Sequence, residues 1–96
     1  MDATIPPERL ERYFSLTRDA LALAQKAPQA SGRESEAATI LDMAQRYYDD
    51  AVHFHQKGEE VNAFACLNYA HGWLDCGARL GLFKVKDSRL FTVDDE

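Results

Sequence analysis

His53-Phe54-His55-Gln56-Lys57-Gly58-Glu59-Glu60-Val61-Asn62-Ala63 is the stretch whose reading decides the fold. Residues before it recur at helical spacing, and Gly58 is a natural left-handed stop for that helix. Glu59 and Glu60 then supply the negative charge favoured at the start of a new helix. Two helices joined by so short a link lie antiparallel. The reading therefore works outward from a helical hairpin.

Upstream, the first arm of the hairpin runs over about 34–57. It carries an apolar arc of Ala37, Ile40, Leu41, Ala44, Tyr47, Tyr48, Ala51, Val52 and Phe54. Asp42, Gln45, Arg46, Asp49, His53 and Gln56 fall on its other side. Downstream, the second arm runs over about 59–80 and ends at Gly81. It is apolar nearly all round, which predicts the central element of a bundle. Gly72 and Gly77 inside it each cost about 1 kcal/mol against alanine, so a packing reason is expected for both.

A further helix over about 6–27 precedes the hairpin. Pro6-Pro7 suit its first turn, and Pro28 disfavours helical geometry in the residue before it. Leu10, Tyr13, Phe14, Thr17, Ala20, Leu21 and Ala24 form its stripe, widened by Leu16 and Leu23. In the loop that follows, Ser31 and Glu34 have the spacing of a capping box, with Ser35 as a rival cap. The tail, 82–96, alternates apolar and polar residues in two runs on either side of Asp87-Ser88. It reads as an extended segment docked on the bundle, with an acidic end. The fold class predicted is all-α: a three-helix up-down bundle with a short extended C-terminal tail, forming one helical domain over 1–96.

Totals agree with that reading. Ninety-six residues, 46% hydrophobic and 28% charged, suit one folded domain and oppose disorder. A formal charge of −5 excludes a generally basic surface and makes nucleic acid an unlikely partner. No apolar run approaches a membrane span, and the start lacks a signal pattern. Cys66 and Cys76 stand about 15 Å apart along one helix, beyond disulfide reach. They read as small buried hydrophobes in a reducing compartment, so a cytoplasmic location is expected.

Tyr47-Tyr48-Asp49-Asp50-Ala51-Val52-His53-Phe54, Gly58-Glu59-Glu60-Val61-Asn62-Ala63 and Tyr69-Ala70-His71-Gly72-Trp73-Leu74-Asp75-Cys76-Gly77-Ala78-Arg79-Leu80-Gly81-Leu82-Phe83 carry a family resemblance. Together they resemble the small archaeal proteins grouped as domain of unknown function 357, over roughly Tyr47 to Val93. The resemblance implies an archaeal, cytoplasmic helical bundle. It implies no activity and no catalytic residues.

Chemistry-bearing residues are sparse. His53 and His55 lie about 200° apart on a helix, so they do not share one ion. Asp49 with His53, and His71 with Asp75, each sit one turn apart and could offer two ligands. His55 reads as hydrogen-bonded and partly buried. Arg46 and His53 share a face and resemble the short Arg/His motif of HEPN-class helical ribonucleases, in which the histidine serves as acid/base and the arginine steadies a phosphate. Acidic Asp42, Asp49 and Asp50 beside them oppose RNA. A nucleophile elbow, a phosphate loop and Cys-x-x-Cys spacing are missing.

The resulting expectation is a non-catalytic interaction or structural protein that self-associates or binds another subunit, with no metal and no cofactor. The enzyme alternative is a HEPN-like ribonuclease or a metal-dependent hydrolase using His53 with Arg46 or Asp49. The candidate binding strip is Asn68, His71, Asp75 and Arg79, at steps of three and four. Phe64 falls on that polar side and needs cover from the tail or from another chain.

Overall fold

The computed structural model describes residues 4–91. It contains α1 (Pro7–Lys26), α2 (Glu34–Gln56) and α3 (Glu60–Arg79), and no strand among the described residues. Proline and glycine punctuate the helices as their chemistry dictates. Pro7 occupies the first turn of α1, and Ala27, ahead of Pro28, is extended at φ −73° and ψ 151°. Gly58 and Gly81 follow α2 and α3 with φ of +76° and +73°, a conformation costly for residues with a Cβ.

One capping expectation is corrected. The residue flanking α2 is Arg33, and no side chain caps that helix. The Glu34 carboxylate instead accepts a hydrogen bond from the Gly32 amide at 3.3 Å. Gly32 takes φ +81° and Ser31 stays outside the first turn, so the Ser31–Glu34 box does not form.

Packing follows a heptad rhythm of small residues. Ala37, Ala44 and Ala51 on α2, and Ala63, Ala70 and Gly77 on α3, are all fully buried. Residues seven apart return to the same helix face after two turns, so each helix offers its neighbour one flat seam. Leu67, Leu74 and Ile40 interleave with the alanines and fill the space between turns. On α1 the seam is Leu10, Thr17 and Ala24. The α2–α3 contact is the most extensive and α1 meets α3 more than α2. The expectation that α3 is the central element holds.

The tail closes one end of the bundle. Lys84 donates to the Pro28 carbonyl at 2.9 Å and Ala30 to the Leu82 carbonyl at 3.0 Å, around a single antiparallel bridge between Gln29 and Phe83. Leu82, Phe83 and Phe91 are all but fully buried. Asp87-Ser88 opens a helical turn in which the Leu90 and Phe91 amides bond the Asp87 carbonyl. The docked segment is as expected; the acidic end lies outside the described residues.

Candidate interaction face on the third helix

The predicted strip on α3 is divided between scaffold and surface. His71 is half-buried between α1 and the tail: its Nε2–H donates to the Leu90 carbonyl, and Thr17 Oγ1 stands 3.4 Å from Nδ1. This geometry selects the Nε2–H tautomer, with the threonine hydroxyl as donor to Nδ1. Thr17 is the one fully buried polar side chain among the described residues, and His71 is its partner across the bundle. Phe64 finds its cover within the chain, packed edge-on against Tyr13 of α1 with ring centroids 4.9 Å apart. Asp75 is half-buried, Arg79 is exposed, and each takes part in further interactions. Of the strip, Asn68 and Arg79 are exposed, while His71 and Asp75 are half-buried.

Beside that strip lies a second, wider surface. Val61, Ala65, Asn68, Tyr69, Gly72, Cys76 and Leu80 are exposed, on the side of α3 opposite its buried seam. At about 100° per residue they span roughly a third of the circumference. Val61, Tyr69 and Leu80 keep 46%, 62% and 52% of their surface in water. Asn68, Tyr69, Gly72, Trp73 and Cys76 line a shallow groove of about 460 Å³. Tyr69 lies over Tyr47 of α2, the rings stacked at 4.9 Å and 16°, so one wall of the groove is held in place by a second helix. Cys76, expected to be buried, is exposed, whereas Cys66 is half-buried; both thiols are free. Burial, and then the charge of Asp50, push the Cys66 thiol above its ordinary value.

Gly72 forms the floor of this groove, and nothing in the chain accounts for it. A Cβ built on Gly72 would meet no atom within 4 Å. At Gly77, by contrast, it would come within 2.5 Å of the Phe83 ring and 2.9 Å of Ile40. One glycine is required by the fold and the other leaves a gap that faces outward.

Of the enzyme alternative, Asp49 accepts a hydrogen bond from Gln45 on its own helix at 2.9 Å. Arg46 is paired with Asp42 at 2.8 Å on the exposed side of α2, and His53 lies against Phe54. His71, turned inward, is committed to Thr17 and Leu90, away from His53. Among the described residues no three of His, Cys, Asp and Glu cluster so as to hold an ion. His55, expected to be partly buried, is exposed; its Nδ1 pairs with the Glu60 carboxylate at 2.8 Å and its ring tilts over Phe14. The pair rims a second groove of about 380 Å³ between α1 and α2.

Fold and surface together define a small helical bundle with one largely apolar, aromatic-walled helix face left open, and Arg79 at its border. The chain belongs to the family described as protein of unknown function DUF357, whose model matches residues 12–83. That match takes in most of α1 as well as the hairpin, so it begins well before Tyr47. No curated protein and no solved structure matches the chain. Among the described residues no helix is long and apolar enough to cross a membrane.

Proposed function

We propose that this chain is a non-catalytic interaction protein that works by docking the outer face of α3 against another protein surface. The observation that carries the reading is the groove over Gly72: a mid-helix glycine with open space above it, walled by Tyr69, Trp73 and Cys76. Contiguous exposed apolar patches with aromatic walls mark association sites. A reducing cytoplasm suits the free thiols, one of them within the face itself.

Cys76 provides the test. In the isolated chain its thiol is open to solvent, so it should react with a maleimide at the rate of the unfolded chain when the protein is dilute. If the face is a docking surface, Cys76 becomes shielded at high protein concentration or in extract of the native cells. Shielding should vanish on Tyr69→Asp. A Cys76 that labels equally fast in all of these conditions defeats the proposal.

A further inference from the structure

We infer that the groove between α1 and α2 binds a short apolar peptide with free termini, its ammonium held by Glu11 and Glu60 and its carboxylate by Arg18. The inference goes beyond the docking reading of the α3 face and concerns a different part of the bundle.

It starts from how α1 and α2 meet. They run antiparallel: Gln25 of α1 donates to Gln45 of α2 at 3.2 Å, while Phe14 lies against both Tyr48 and His55. Of the three helix pairs these two touch least, and the shortfall leaves the groove of about 380 Å³. That volume lies at the small end of ligand clefts, which run from about 300 to 1,000 Å³. Leu10, Phe14, Tyr48 and Val52 give the groove an apolar lining. The Phe14 and Tyr48 rings stand edge to face at 6.1 Å, so the lining is fixed from both helices.

The polar groups are sorted by sign along the groove. Glu11 and Arg18 both line it from one stripe of α1, two turns apart. Antiparallel packing puts His55 and Glu60 at the Glu11 end and Tyr48 at the Arg18 end. His55 Nδ1 stands 2.8 Å from the Glu60 carboxylate; a neutral ring that donates from Nδ1 keeps Nε2 as a further acceptor. One end therefore offers acceptors, which suits an ammonium, a group that only donates. At the other end the Arg18 guanidinium donates to Ser15 Oγ at 2.9 Å and lies 3.8 Å from Asp19. These contacts use part of its fork of five N–H donors, and the rest can take a carboxylate.

Length fixes the class of ligand. Seven residues of helix rise about 10 Å, and three extended peptide residues span about the same distance. A tripeptide thus reaches from Glu11 to Arg18 and lays its middle side chain over Phe14 and Tyr48. A free amino acid, with both charges on one carbon, serves one end only. A polyamine would bring an ammonium to Arg18.

The probe is the tripeptide Ala-Phe-Ala, titrated into the isotope-labelled chain and followed by amide shifts. Amides of Phe14, Tyr48 and Val52 should move saturably, with a Kd on the order of 0.1 mM, while those of Gly72 and Cys76 stay in place. Acetylating the peptide removes the ammonium, and amidating it removes the carboxylate; each should weaken binding by about tenfold. Glu11→Gln should weaken binding of the free peptide likewise and make acetylation matter less, and Arg18→Gln should do the same for amidation. Both residues are exposed, so neither change should shift the melting temperature. Glu60 is the poorer probe, because it also holds His55. Absence of saturable shifts at the groove, even at millimolar peptide, overturns the site. Capped and free peptides that bind alike overturn the ligand class, as does an effect of acetylation undiminished in Glu11→Gln.

Discussion

Two glycines five residues apart on one helix ask for opposite explanations, and the difference is measurable. Gly77 lies against Phe83 and Ile40, where a Cβ would sit at 2.5 to 2.9 Å. Gly77→Ala should therefore cost about 1–3 kcal/mol of overpacking, which is a melting temperature lower by roughly 5–20 °C in a domain of this size. Gly72→Ala meets no atom, and replacing a mid-helix glycine should stabilise the dilute protein by about 1 kcal/mol. Thermal melts at low micromolar concentration check both; melting temperatures that move in the same direction would contradict the packing described. Sequence reading treats the two glycines alike, because helix propensity depends on residue type and not on what the neighbouring elements bring. His71 shows the same limit. Its polarity and spacing place it on a surface strip, but Thr17, fifty-four residues away, and the Leu90 carbonyl both reach it. No local pattern encodes a pair so distant in the chain.

At the scale of elements, the three helices were legible because proline and glycine end them. Pro7, Pro28, Gly58 and Gly81 each act through backbone geometry that needs no tertiary context. The start of α2 was less legible, since Ser31 and Glu34 have capping-box spacing while the backbone turns at Gly32 and begins the helix after Arg33. Ser31→Ala should accordingly change stability by less than about 0.5 kcal/mol, where a capping serine would cost about 1 kcal/mol. A urea melt separates the two values. The tail carries more weight than its extended look suggests. Phe83 is 1% exposed and seals the end of the α2–α3 seam, so Phe83→Ala should cost about 3–5 kcal/mol. Loss of the tail's amide protection in hydrogen exchange, along with that of the loop containing Gln29 and Ala30, should accompany it, because the tail's backbone bonds run to this loop.

Over the whole molecule, the bundle was legible and the site only partly so. Apolar residues all round α3 say that it is central, but they do not say which side α1 and α2 leave uncovered. That phase is fixed by the small-residue seams, which put Ala63, Ala70 and Gly77 inward and so turn Ala65, Gly72 and Cys76 outward. The same arrangement sets Cys66 at the margin of the core, and this has a consequence for stability against pH. Burial and the nearby Asp50 raise the folded thiol above its ordinary value of 9.0, so the folded state holds that proton more tightly than the unfolded chain does. By linkage, the stabilising contribution is fully present below pH 9.0 and is lost as pH rises toward the folded value. At the acid end, Asp87 has the opposite sign. Its hydrogen bond from Arg89 lowers its carboxyl below the ordinary 3.8, so its contribution is present above that pH and is lost as pH falls further. Urea melts of the native chain and of Cys66→Ala from pH 7 to 10 isolate the thiol. The native chain should lose stability relative to the variant only on the alkaline side, through the range where the unfolded thiol ionises. Parallel curves across the whole range would show that Cys66 is solvated as fully in the fold as in the unfolded chain.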